Sequence, residues 1–429
     1  MQKRIKSCTA LKGEFSVAAD KSISHRAVIF SALARGEGIV RNFLPAEDTL
    51  SSCACLRQLG VNIETRGDVL LVEGPGLNGL LEPAGVLDCG NSGTTMRLLT
   101  GLLSGRPFFS VLSGDQSLNQ RPMKRVITPL LAMGASISGR KNSSCAPLAI
   151  QGGAMEGINY ELPVASAQVK SALLLAGLSA GSQTVLTEPV QSRDHSERML
   201  AAMGADIKVE DLTIRLIPGQ ELQPQEFMVP GDISSAAFFL VAGTLVPDSE
   251  LMIKNVGINP SRAGIIEVLQ AMGARISLDN QKTVGGEPVA DILVVSSDLH
   301  AIHIDGEIIP RLIDELPVIA VAMAAAQGES KVNGAHELRV KETDRITAIC
   351  SELGKMGVNI NELEDGFVIQ GNRDQFKGNC VDSRGDHRIA MSLAVAGLIA
   401  AGETLIEGAE AVNISFPAFW NLLERLSKA

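Results

Sequence analysis

Two interleaved patterns of apolar and polar residues run the length of the chain. The first is an octet, "LRQLGVNI" from Leu56. It recurs as "LLAMGASI" from Leu130, "LAAMGADI" from Leu200, "LQAMGARI" from Leu269 and "LGKMGVNI" from Leu353. Each copy predicts the last turn of a helix, a glycine stop and entry into a β-hairpin. The residues after each copy alternate and turn accordingly, as in "NIETRGDVLLVEG" and "DIKVEDLTIRLIPG".

The second pattern is a set of six apolar runs: "DKSISHRAVIFSALARG", "GNSGTTMRLLTGLLSG", "ASAQVKSALLLAGLSAG", "GDISSAAFFLVAG", "DELPVIAVAMAAAQG" and "GDHRIAMSLAVAGLIAAG". They start near Asp20, Asn91, Ser166, Asp232, Asp314 and Asp386, and all open on small, polar or acidic residues suited to capping. Each run continues in Ala, Leu, Val, Ile and Met with almost no polar face, which predicts helices buried on most sides. One unit therefore reads as a buried helix, a surface helix and strands. The last surface helix, "FPAFWNLLERLSKA", has no hairpin after it, while the first twenty residues read as strands with no helix before them. The first residues should complete the last unit. Six units divide as three plus three with a boundary near Pro230. That gives a domain over 21–230 and a discontinuous one over 1–20 plus 231–429, with the active site expected in the cleft between them.

Composition narrows the function. Aromatic residues make up only 3% of a chain that is 45% hydrophobic, so the core is aliphatic. The 42 glycines, about a tenth of the residues against a usual ~7%, imply many tight turns. A net charge of −10 argues against a nucleic-acid partner. No apolar run reaches the ~18 residues of a membrane span. Met1–Leu11 is charged and lacks the apolar stretch of a signal peptide, so the expected location is cytoplasmic. Seven scattered cysteines, with Cys53 and Cys55 as a lone C-x-C, predict neither a metal site nor a disulfide framework.

Related helices stacked about an axis gather their N-termini on one face, and each such end attracts anions. Cations cluster at these same places: Lys21 and Arg26, Arg97, Lys170, and Arg384 with Arg388. Arg121, Arg125, Arg193, Lys341 and Arg345 lie in nearby loops. A multiply anionic ligand carrying phosphate or carboxylate groups is the expected partner. Taken singly, each motif has a plainer reading. "GNSGTT" could be a capped helix start and is no P-loop. Asp314 could cap its helix, His25 and His387 could be structural, and "RVKETDRITAI" could be a solvated helix start.

The motifs "DKSISHR", "GNSGTTMR", "QRPM", "SAQVKSA", "RVKETDR" and "GDHRIAMS" span positions 20 to 392, and together they closely resemble the 5-enolpyruvylshikimate-3-phosphate (EPSP) synthases. The resemblance implies an α/β fold, a two-domain inside-out α/β barrel of six βαβαββ repeats. It implies transfer of an enolpyruvyl group from phosphoenolpyruvate to the 5-hydroxyl of shikimate 3-phosphate, in the shikimate pathway to chorismate and the aromatic amino acids. The enzyme would be a monomer acting on small molecules, with no cofactor and no metal. Shikimate 3-phosphate would meet Lys21, Ser22, Arg26, Ser166, Gln168, Arg193, Asp314 and Lys341. Phosphoenolpyruvate would meet Lys21, Gly93, Arg121, Gln168, Arg345 and Arg388. Asp314 matches the acceptor of the hydroxyl proton, Glu342 the group that exchanges protons at the vinyl carbon, and Lys21 completes the catalytic set, with Asp344 orienting its neighbours. Two positions depart from many members: Ala167 replaces a serine, a loss for which Lys170 could compensate, and Ile414 replaces a lysine. "SAQVK" and "RDHSE" are similar to a branch that includes glyphosate-tolerant members, whereas Gly93 leaves open the space that alanine fills in tolerant ones. The alternatives are the sister transferase acting on UDP-N-acetylglucosamine, whose loop cysteine near position 115 is missing here, and a non-enzymatic repeat scaffold for anionic partners.

Overall fold

A computed structural model describes residues 1–428. Among them, twelve helices of eight or more residues follow the two sequence patterns in strict alternation. They are α1 (Lys21–Leu33) and α2 (Glu47–Gln58), α3 (Gly93–Ser104) and α4 (Lys124–Ala132), α5 (Ala167–Gly177) and α6 (His195–Ala202). The series continues with α7 (Ile233–Leu245) and α8 (Gly264–Ala271), α9 (Leu316–Ala325) and α10 (Arg345–Lys355), α11 (His387–Ile399) and α12 (Phe419–Leu426). The odd-numbered helices are the buried ones: every residue of α7 and α9, and all but the last of α11, is shielded from solvent.

The octet stops five even-numbered helices by one device. Gly60, Gly134, Gly204, Gly273 and Gly357 all have φ between +87° and +102°. At each, the next residue's N–H reaches back to the octet's leading leucine, as in Val61 N to Leu56 O at 3.0 Å and Val358 N to Leu353 O at 3.1 Å. This is a Schellman closure; it satisfies the orphan carbonyls of the last turn and needs a left-handed residue that only glycine supplies without strain.

The strands form six sheets of one design. Asn159–Glu161 runs parallel to Thr184–Thr187, which pairs antiparallel with Thr213–Ile217, itself in a hairpin with Asp206–Glu210. The order parallel strand, central strand, hairpin returns in the sheets of Phe109–Ser113 and Gly328–Val332. The last sheet has three strands. Its central strand Glu403–Glu407 pairs with Cys380–Asp382 on one side and with Gln2–Lys6 on the other. Gln2–Lys6 thus completes the last repeat, but the second strand of the first twenty residues, Lys12–Phe15, instead runs parallel to Glu250–Gly257 in the sheet of the fourth repeat.

The chain forms two compact units. The first comprises Met1–Ala18, Pro230–Thr283 and Pro288–Ala429; the second comprises Ala19–Val229 and Val284–Glu287. In the first, Phe239 on α7 meets Phe15, Phe416 and Phe419 in edge and tilted contacts, so the scarce aromatics are spent on seating the chain's two ends. In the second, α3 and α5 touch through backbone: a Cβ on Gly101 would lie 2.1 Å from the carbonyl oxygen of Ala172. Gly101→Ala should therefore destabilise the protein by about 1–3 kcal/mol through overpacking. This is against the ~1 kcal/mol that alanine gains over glycine in a free helix. Urea unfolding measures the net effect, and a raised midpoint would show that the helices can separate freely.

Candidate functional site

In the second unit, side chains close the helix ends where the sequence placed capping residues. Asp20 accepts from Ile23 N at 2.8 Å, Ser92 from Thr95 N at 3.1 Å and Ser166 from Val169 N at 3.4 Å. The cap of α3 is Ser92; Asn91, one residue earlier, instead accepts from Arg121 Nη2 at 2.6 Å and donates to Asp115 at 2.6 Å. His25 is buried on α1 and joins Ser52, which bonds Thr95 in turn. Burial, aided by Lys21 and Arg26, drives its pKa well below the ordinary histidine value, so it is a neutral structural group.

Around these ends the cations are positioned by short bonds. Lys21 Nζ lies 3.1 Å from Asp48, a carboxylate from the first turn of α2. Arg26 donates from Nε to Ser196 at 2.8 Å, from Nη2 to Ser171 at 2.8 Å and from Nη1 to the Ser22 carbonyl at 3.0 Å. Gln168 accepts from Arg97 at 2.6 Å and donates to Thr94 at 2.9 Å, tying the start of α5 to α3. Gly93 opens α3, and a Cβ there would meet the guanidinium nitrogens of Arg97 at 2.8 Å and Arg121 at 3.3 Å. Arg193 is half-buried in the loop before α6. Asp48 and Ser196 are not among the residues the sequence singles out, although "EDTL" carries the first, and Arg97 is among them only as a cation at a helix start.

Lys170 is placed differently from expectation. Its ammonium is buried and lies 2.7 Å from both Glu188 and Glu197. The first turn of α5 points it into the unit, so it does not replace the hydroxyl missing at Ala167. Burial would strip its proton, but the two carboxylates outweigh that and raise its pKa. Two acids share one base, and burial raises the pKa of Glu197 despite Lys170.

In the first unit the site is built on carboxylates. Arg345, the first residue of α10, is buried, so the charged run around it is no solvated helix start. Its Nε lies 2.7 Å from Asp386, Nη2 2.6 Å from Glu342 and Nη1 3.1 Å from Asp314. Burial opposes its charge, but Asp386, Glu342 and Asp314 together raise its pKa above the usual arginine value. Asp314 is not a cap: Glu315 holds that position of α9, and Asp314 lies 3.6 Å from Arg388 Nη2. Asp386 also caps α11, accepting from Arg388 N at 2.8 Å. Asp344 caps α10 through Thr347 N at 3.1 Å and pairs with Arg339 at 2.8 Å, so its partners are not Lys341, Glu342 or Arg345. Lys341 is half-buried in the turn before α10, and Ile414 ends a short 3-10 turn half-buried.

Six sheets of one design, each associated with a buried and a surface helix, are the fold of the enolpyruvyl transferases. The fold is shared with NikO of Streptomyces tendae, an enolpyruvyl transferase, at a TM-score of 0.80 and 17% identity over 99% of this chain and 96% of that one. The EPSP synthase of Acinetobacter baumannii matches at a TM-score of 0.89 and 44% identity, covering 99% and 98%. A 3-phosphoshikimate 1-carboxyvinyltransferase of Syntrophomonas wolfei is 66% identical over 97% of each chain; that of Brevibacillus brevis is 52% identical over 99% of this chain and all of its own. The family model for EPSP synthase (3-phosphoshikimate 1-carboxyvinyltransferase) matches residues 5–423, and the chain belongs to that family.

The buried triad of Lys170, Glu188 and Glu197 has a pH signature. Glu197 binds its proton more tightly in the folded chain than in the unfolded one. Its stabilising contribution is therefore full below the ordinary carboxylate pKa and is lost as pH rises through the folded value. The melting temperature of Glu197→Gln, relative to the wild type at the same pH, should therefore rise on going from pH 5 to pH 8. Thermal unfolding at the two pH values checks the sign.

Proposed function

We propose that the chain transfers the enolpyruvyl group of phosphoenolpyruvate to the 5-hydroxyl of shikimate 3-phosphate, releasing phosphate, as a cytoplasmic monomer of the shikimate pathway. Family membership supports the reaction. The single observation that carries the residue roles is Arg345, one buried arginine in contact with both carboxylates that the chemistry needs, Asp314 and Glu342.

Lys21, Ser22, Arg26, Ser166, Gln168, Arg193 and Lys341 bind shikimate 3-phosphate. Lys21, Gly93, Arg121, Gln168, Arg345 and Arg388 bind phosphoenolpyruvate. The two sets act on one substrate pair. Glu342 delivers a proton to the vinyl methylene, the 5-hydroxyl attacks the adjacent carbon, and Asp314 takes the hydroxyl proton. The tetrahedral adduct then expels phosphate, which takes the proton from Asp314, and a methyl proton returns to Glu342, while Lys21 and the arginines hold the charge that develops. A phosphoenolpyruvate phosphate competes for the N–H groups of Arg345. It loosens that residue's hold on Asp314 and Glu342 and frees both carboxyl groups to face the substrate pair.

Phosphate release from phosphoenolpyruvate with shikimate 3-phosphate, and none with UDP-N-acetylglucosamine, tests the reaction. Asp314→Asn should lower kcat by about 10²–10⁴-fold, the usual cost of losing a general base. Shikimate 3-phosphate binding, followed by calorimetry, should stay within a few-fold; near-normal turnover would move the base role to another group. Glyphosate should compete with phosphoenolpyruvate. At Gly93 the added methyl faces the movable ends of Arg97 and Arg121 and no backbone. Gly93→Ala should thus fold normally and raise the inhibition constant for glyphosate more than the KM for phosphoenolpyruvate. An unchanged ratio of the two constants would place discrimination elsewhere.

A further inference from the structure

Arg193 lies in the irregular segment between strand Thr184–Thr187 and α6, yet buried, anchored residues stand on both sides of it. Before it, Ser192 Oγ donates to Glu188 Oε1, and the Ser192 N–H lies 3.4 Å from Glu188 Oε2. After it, His195 Nδ1 lies 2.8 Å from Glu287 Oε1 in the same unit. Glu188 is itself fixed by Lys170 at 2.7 Å. Lys170 also holds Glu197 on α6, one residue beyond Ser196, which bonds both Arg26 and Ser171. Half-buried Arg193 and Asp194 are thus a short span between two fixed points.

We propose that Lys170, Glu188 and Ser192 are positioning residues for the known reaction: they clamp the backbone on one side of Arg193 so that its guanidinium is preset for the phosphate of shikimate 3-phosphate. The clamp rests on the binding role proposed for Arg193. An arginine at the end of a long side chain loses affinity when its backbone is free to wander, because the ordering cost then falls on the binding step. A buried charged pair is costly to keep. Here Lys170 meets no substrate directly, and its effect passes through Glu188 to the loop. A clamp differs from general stabilisation in what it changes: it acts on one substrate's affinity.

Ser192→Ala removes the tether and leaves the Lys170–Glu188 pair in place. It should raise the KM for shikimate 3-phosphate about tenfold, the lower end of the scale of one lost hydrogen bond to a charged group. The KM for phosphoenolpyruvate and kcat should stay within about twofold, with the melting temperature lowered by only a few degrees. Arg193→Ala should raise the same KM by about tenfold or more. In the Arg193→Ala background, Ser192→Ala should add nothing, because residues acting through one group are not additive. Additive effects, or a Ser192→Ala enzyme that melts lower with an unchanged KM, would overturn the clamp while leaving the role of Arg193 intact. An Arg193→Ala enzyme with an unaltered KM for shikimate 3-phosphate would overturn the binding role itself, and the clamp with it.

Discussion

A helix with no polar face has to be buried along its whole length, and its polar character is then confined to its two ends. Six such helices run through this chain, and each leaves N–H groups at its start that need acceptors. Asp20, Ser92, Ser166, Asp232 and Asp386 supply them from side chains. Arginines and lysines gather around the same ends. Much of the buried charge therefore sits at helix starts, while Arg106, Asp291 and Glu352 are buried elsewhere, each with polar partners.

Several kinds of partner set the arginines of the two units. In the second, hydroxyls, a carbonyl and side-chain amides are among the groups that orient Arg26, Arg97 and Arg121. In the first, Arg345 is surrounded by three carboxylates. Carboxylates at hydrogen-bond distance stabilise the charge of a buried arginine, whereas hydroxyls and amides fix its direction without adding charge.

The fold was legible because its signals are local and repeated. The octet glycines mark five helix stops, and the six apolar runs mark the buried helices, since each feature depends only on residues a few positions apart. Counting which repeat lacked strands pointed to the first residues, and Gln2–Lys6 does join the last sheet, although Lys12–Phe15 joins the sheet of Glu250–Gly257. Side-chain direction was less legible. Lys170 reads as one more cation at a helix start, but its place on the first turn of α5 aims it at Glu188 and Glu197. Asp314 and Glu315 are adjacent acids, either of which fits a cap; only the start of α9 assigns that position to Glu315. Asn91 and Ser92 pose the same ambiguity, resolved because Asn91 is engaged by Arg121. Partners tens of residues apart leave no periodic trace in a single sequence.

The pairing of the first strand with the last sheet sets an order of assembly during synthesis. The second unit is nearly continuous, from Ala19 to Val229, so it can fold on the ribosome while the rest of the chain is still being made. Gln2–Lys6 has no such opportunity. Its antiparallel partner, Glu403–Glu407, is made only after all the residues between them, and the Met1 amino group then reaches Glu410 at 2.6 Å. Gln2–Lys6 therefore waits without its partner strand while both units are being made, and the charged side chains of "QKRIK" disfavour pairing of such an edge with another chain in the meantime.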